Sequence, residues 1–165
     1  MATLLKNLSD FSHTEIPSNV KAKIAIVWAE WNIEITKTLA KGAVETLKQY
    51  GIEEQNIDIF SVSGSWELIT ASEFCFLSKN NYDGVIAIGC LIKGDTPHFE
   101  YISEAVSQGL KDVSIKYSKP VSFGVITTLT LEQAQDRAGG KLGNKGDEAA
   151  VAMLKMIALK NQLGA

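Results

Sequence analysis

Apolar positions along the chain follow two alternating rhythms. Runs of six to eight mostly apolar residues, rich in Ile and Val, alternate with longer segments in which apolar residues recur every three or four positions. The runs at residues 23–28 (KIAIVW), 56–62 (NIDIFSV), 84–91 (GVIAIGCL) and 121–127 (VSFGVIT) predict four strands. The third is almost wholly apolar, as a parallel strand buried on both faces should be. After the first run, Leu39, Ala40, Ala43, Val44 and Leu47 form one stripe of a helix that Asn32 is expected to cap and Gly51 to stop. A second helix begins around Trp66. A third follows Pro97, which suits a first helical position, and carries Ile102, Ala105, Val106, Gly109, Leu110 and Val113 at helical spacing. Residues 131–138 predict a short helix, a glycine-rich break follows (GGKLGNKG), and Ala150, Met153, Leu154 and Ile157 mark a last helix. Parallel strands joined by helices cross over right-handedly and cover both faces of a sheet. The expected class is therefore α/β, a three-layer αβα sandwich with a four-stranded parallel sheet.

At 165 residues the chain suits one core, so a single domain over residues 21–165 is expected behind a polar arm over residues 1–20. The arm holds only a two-leucine apolar patch, Leu4 and Leu5, which is neither a signal core nor a membrane span. A cytoplasmic protein with no membrane partner is expected. Hydrophobic residues at 45% and charged residues at 21% match a chain that folds by burial. The net charge of −3, without a Lys/Arg cluster, points away from nucleic acid. Cys75 and Cys90 sit in apolar runs without metal spacing and read as reduced core thiols.

Ligands of such sheets bind beyond the carboxyl ends of the strands. The loops there read WAEWN, SGSWEL, CLIKGDTPH and TTLTLEQ. In the third, Gly94 permits a tight turn, Asp95 or Thr96 can cap, and free amides at the helix start outline an anion site. His98 follows in the first turn, placed either for proton transfer or to satisfy loop carbonyls. Trp31 and Trp66 offer flat faces for a heteroaromatic ring, or for core or interface packing. Glu67 can accept hydrogen bonds from ring N–H groups or a polyol, or simply complement the helix dipole. Arg137 is the only Arg beside fifteen Lys; it is either a bidentate phosphate or carboxylate grip or an ordinary surface charge. Dinucleotide, P-loop, nucleophile-elbow and zincin motifs are absent from the sequence. GGKLGNKG is no P-loop, because Leu142 follows Lys141 and the stretch is entered from a helix.

Taken in order, EWN, SGSWEL, GCLIKGDTPHFEY, PVSFGVITTLTLEQAQDRAG and GKLGNKGDEAA resemble the lumazine synthase family over about residues 23–159. The resemblance implies a flavodoxin-like sheet and the penultimate step of riboflavin biosynthesis. In that step 5-amino-6-(D-ribitylamino)uracil condenses with 3,4-dihydroxy-2-butanone 4-phosphate, with no metal and no organic cofactor. It further implies that Trp31 stacks on the pyrimidine while Ser65, Trp66 and Glu67 hold the ring and ribityl chain. Cys90, Leu91 and Ile92 match backbone-contacting positions. Asp95 and Thr96 match the phosphate turn, His98 the proton donor and Arg137 the phosphate-binding Arg. Phe123 matches a base contact from a neighbouring subunit, as Arg137 also does, and Lys145 matches a nearby basic position. Ser63 and Ile69 replace usual prolines, Lys93 a common Arg, and Trp31 the commoner Phe.

Family members form homopentamers, and many close twelve of these into a sixty-subunit icosahedral shell. The short link GGKLGNKG matches shell formers, with the free pentamer as the alternative. Riboflavin synthase is a further implied partner. Residues 7–17 are expected to add a strand to an adjacent sheet or to remain a disordered arm. Competing readings are a non-catalytic lumazine- or flavin-binding storage shell and a flavodoxin-like electron carrier. The first has no use for both His98 and Arg137; the second lacks a Ser/Thr/Gly cradle in WAEWNIEIT.

Overall fold

The computed structural model describes residues 7–164. Leu4 and Leu5 of the expected arm, and Ala165 at the end of the expected domain, lie outside them. Four strands, β1 (Ile24–Ala29), β2 (Ile57–Val62), β3 (Gly84–Ile92) and β4 (Val121–Thr128), form a parallel sheet in the order β2-β1-β3-β4. Helices α1 (Ile33–Gln49), α2 (Glu67–Leu77), α3 (His98–Tyr117), α4 (Leu131–Asp136) and α5 (Lys145–Leu163) connect or follow the strands. No described helix is long and apolar enough to cross a membrane.

Alternation along each strand divides the core in two. Ile24 and Ile26 of β1, Ile86 and Ile88 of β3 and Ile126 of β4 pack with Leu39 and Leu47 of α1 and Met153 and Leu154 of α5. On the other face, Ala25, Val27, Val85, Ala87 and Val125 pack with Leu68 and Phe76 of α2 and Val106 and Leu110 of α3. The result is the expected three-layer, flavodoxin-like sandwich. β3 runs buried from Gly84 to Cys90, in keeping with its apolar sequence. Cys75 and Cys90 are free and buried, and burial pushes their thiols up to about 11 and about 12 respectively.

Three local expectations change. Asn32 occupies the N-cap position of α1, but it sits in the left-handed region (φ 60°) and its side chain caps nothing. Its Nδ2 instead donates to the Cys90 carbonyl at 3.0 Å. Pro97 stands at the cap position of α3, one residue before the helix, and neither Asp95 nor Thr96 caps it with a side chain. The helix expected over 131–138 stops at Asp136, because the chain turns into a hairpin of β5 (Ala138–Gly140) and β6 (Gly143–Asn144). The backbone bonds of that stretch go to the hairpin: the Leu142 N–H donates to the Asp136 carbonyl, and the Lys145 N–H to that of Arg137.

The polar leader carries no strand among residues 7–20 and folds onto its own chain. The Leu8 N–H donates to the Leu142 carbonyl, and the Ser9 hydroxyl donates to Asp147 while accepting from the Asn144 N–H. Among the described residues no further strand pairs with the outer edge of β2 or of β4. Ile59 and Phe60 of β2 are exposed, as is Phe123 of β4.

Candidate functional site

A cleft of about 510 Å³ opens at the carboxyl ends of β1, β2 and β3. Such a volume suits a small organic ligand. The loop after β1 supplies Trp31, and the loop after β2 supplies Gly64, Ser65 and Trp66, with Glu67 starting α2. β3 ends in Cys90, Leu91 and Ile92, and α3 brings His98 and Ile102. Eight of the residues singled out in the sequence thus meet around one space: Trp31, Ser65, Trp66, Glu67, Cys90, Leu91, Ile92 and His98.

Backbone hydrogen bonds fix the two tryptophan loops beside each other. The Glu30 N–H donates to the Val62 carbonyl and the Trp31 N–H to that of Ser63. Trp31 is 73% and Trp66 53% exposed, so neither indole serves the core of its own chain. Glu67 does more than face a helix dipole. Its Oε2 accepts the Gly64 N–H at 2.9 Å, closing the loop and leaving the other oxygen for a ligand. Ser65 is buried, and its carbonyl accepts the Leu68 N–H as α2 begins.

The loop after β3 is tied at both ends. The Lys93 N–H donates to the Thr128 carbonyl of β4, and the Lys93 ammonium pairs with Glu100 in the first turn of α3. The Lys93 ammonium also holds the Glu100 carboxyl below its ordinary range. Between these ties Gly94, Asp95 and Thr96 are exposed, and none of the described residues lies within 4 Å of where a side chain on Gly94 would project. The turn stands open immediately before His98, the first residue of α3.

Three candidates lie elsewhere on the chain. Phe123 is on β4, the sheet edge opposite β2. Arg137 ends α4, where its Nη1 donates to the Gln133 carbonyl at 3.0 Å. Lys145 opens α5 and pairs with Glu148 at 2.6 Å. The hairpin joins the last two through their backbones, since the Lys145 N–H donates to the Arg137 carbonyl. Trp31 also lines a second cavity of about 700 Å³ with Leu131 and Gln135 of α4. Among the described residues no three His, Cys, Asp or Glu side chains gather to hold a metal.

Sequence reasoning missed Asn32, Gly64 and Ile102 as cleft residues. Ile102 was legible only as part of the buried stripe of its helix. Asn32 carried an αL-tolerant signal, because Asn is among the few residues that adopt that conformation, but the following helix favoured a cap.

Residues 21–161 match the family described as 6,7-dimethyl-8-ribityllumazine synthase. Among curated relatives, the 6,7-dimethyl-8-ribityllumazine synthase of Cytophaga hutchinsonii is 50% identical over 96% of this chain and 98% of its own. The protein of that name from Porphyromonas gingivalis is 48% identical over 97% and 99%. That from Phocaeicola vulgatus is 44% identical over 99% and 96%. The match runs over most of the chain, which belongs to the 6,7-dimethyl-8-ribityllumazine synthase family.

Proposed function

We propose that this chain is a transferase of riboflavin biosynthesis. It condenses 5-amino-6-(D-ribitylamino)uracil with 3,4-dihydroxy-2-butanone 4-phosphate, giving 6,7-dimethyl-8-ribityllumazine, phosphate and water. The observation that carries the reading is the single cleft that Trp31, Trp66, Glu67 and His98 line together. The flat pyrimidine stacks on the Trp31 indole, with Ser65, Trp66 and Glu67 holding ring and ribityl chain and the backbone at Cys90, Leu91 and Ile92 meeting its edge. The turn at Asp95 and Thr96 takes the phosphate, together with Arg137 and Lys145 of a neighbouring subunit. Phe123 of that neighbour closes over the base.

In the reaction the pyrimidine's amine attacks the ketone carbon, and water leaves to give an imine. A proton is then lost from the carbon beside the imine as phosphate departs. The enol that this leaves takes a proton at its terminal carbon to become a methyl ketone, and the second amine closes the ring on that new carbonyl, expelling another water. His98 moves protons to and from these oxygens. No step requires a metal or an organic cofactor. Orientation of two substrates can supply roughly 7–11 kcal/mol and a placed acid or base about 10²–10⁴-fold.

A site divided between the β1–β2 loops of one copy and the β4 side of another, at opposite edges of the sheet, suits a heterologous contact repeated around a closed ring. Bare apolar side chains support this: Ile59, Phe60 and Phe74 on the β2–α2 flank, and Phe123 on the β4 edge. The ring is a homopentamer, and twelve pentamers form a hollow sixty-subunit shell in the cytoplasm. Riboflavin synthase, which consumes the product, is its protein partner.

Mixing both substrates and following lumazine absorbance tests the activity. Product formation is expected, and tight lumazine binding without turnover would favour the storage shell instead. Sizing of the purified protein is expected to give the sixty-subunit particle. A free pentamer would overturn the shell alone, and a monomer the shared site as well.

A further inference from the structure

Gly89 lies inside β3, opposite Val125 of β4 and next to Cys90. It is not among the residues with positive φ, so the backbone does not demand a glycine there. Glycine in a strand interior weakens it unless something approaches closely. Something does. A β-carbon at this position would stand 2.6 Å from the Ser65 hydroxyl oxygen, 3.2 Å from Leu68 Cδ1 and 3.3 Å from Val125 Cγ1. Ser65 is 5% exposed and lines the cleft with Trp31, Trp66 and Glu67. Its hydroxyl is therefore seated in the notch that the missing side chain leaves in the sheet.

We infer that Gly89 is a positioning residue for the pyrimidine: it touches no substrate, but its notch holds the Ser65 hydroxyl in place at the cleft floor. A methyl group there forces the hydroxyl to rotate off its seat, towards the space the flat ring occupies. All three atoms are closer than ordinary packing, but only the hydroxyl oxygen is nearer than a β-carbon is ever found, and it swings about a single bond. The strand keeps its pairing while the floor of the cleft changes. Leu68 and Val125 need give by only a few tenths of an ångström. The inference rests on the proposed reading that this cleft takes the pyrimidine.

The test is steady-state kinetics on the assembled protein carrying Gly89→Ala, Ser65→Ala or both, with KM resolved for each substrate and thermal midpoints measured alongside. Gly89→Ala is expected to raise the pyrimidine KM roughly tenfold and to leave the butanone phosphate KM within about twofold. In the Ser65→Ala background the same change is expected to add nothing further, because the atom it displaces is gone. An unchanged pyrimidine KM overturns the inference. So does an equal loss in both backgrounds, or a parallel rise of both KM values with a falling midpoint. If Gly89→Ala alone does not fold, recovery of folding in the double variant is expected, and a double variant that also fails overturns it. A wild-type protein that forms no lumazine refutes the proposed activity instead, which keeps the two failures distinguishable.

Discussion

Replacing Asn32 separates two physical contributions that this residue combines. Its backbone is left-handed (φ 60°, ψ 46°), and its Nδ2 donates to the carbonyl of Cys90, a residue only 2% exposed. Alanine at this conformation costs about 1–2 kcal/mol, and leaving a buried carbonyl without its donor costs about 1–3 kcal/mol. Asn32→Ala is therefore expected to destabilise the protein by roughly 2–5 kcal/mol. Asn32→Gly removes the same donor but accepts the positive φ without strain. It gives back roughly 0.5–1 kcal/mol through the freedom it adds to the unfolded chain. The glycine variant should thus be the more stable of the two by about 0.5–1 kcal/mol. Urea unfolding at one fixed protein concentration measures both, since assembly makes apparent stability concentration-dependent. Equal midpoints for the two variants would refute the backbone contribution. Losses below about 0.5 kcal/mol in both would refute the hydrogen bond as a stabilising contact.

His98→Ala is expected to slow turnover by about 10²–10⁴-fold while leaving pyrimidine binding intact, and single-turnover kinetics with an unchanged rate would remove His98 from the chemistry. Arg137→Lys should raise the KM for butanone phosphate about tenfold or more with little change for the pyrimidine, because Lys offers a point charge where Arg offers a fork; equal losses would refute its role. At the amino ends of the strands, the Tyr82 hydroxyl donates to Asp58 at 2.6 Å and, with Lys23 behind it, holds that carboxyl below its ordinary range. A depressed folded value contributes stability above the unfolded value, near pH 4, and loses it as pH falls through the folded value. Tyr82→Phe should therefore destabilise most above about pH 4, with the gap to wild type narrowing below it in urea melts taken across pH. A gap that ignores pH would refute the coupling.

The four strands and five helices were legible because each carries a periodic apolar pattern. Observed strand bounds differ from the expected ones by about one residue, as with Ile24–Ala29 against 23–28. The exposure of Ile59 and Phe60 was only partly legible: Asp58 and Ser61 interrupt β2 where β1 is unbroken, but its edge position is set by sheet order. The β5–β6 hairpin was equally hidden. Strands of three and two residues, mostly glycine, have no period to detect, and the pairing that makes them is not local. Within the site, Trp31, Trp66, Glu67 and His98 were legible from their places after strands, and Ser65 from the family resemblance. The notch at Gly89 was not, because a glycine between apolar neighbours gives no sign of which side chain will rest on it.

The hairpin's attachment to Leu8 and Ser9 has a consequence for whoever trims or tags the amino end. Those two residues grip the turn that carries Leu142 and Asn144, just between Arg137 and Lys145. Cutting the chain inside that grip would slacken the two cations, and under the shared-site arrangement the damage would surface in the adjoining copy, whose own leader is untouched. In a population mixing clipped and whole chains, lost activity would then track the fraction of copies seated beside a clipped one, not the fraction clipped at its own cleft.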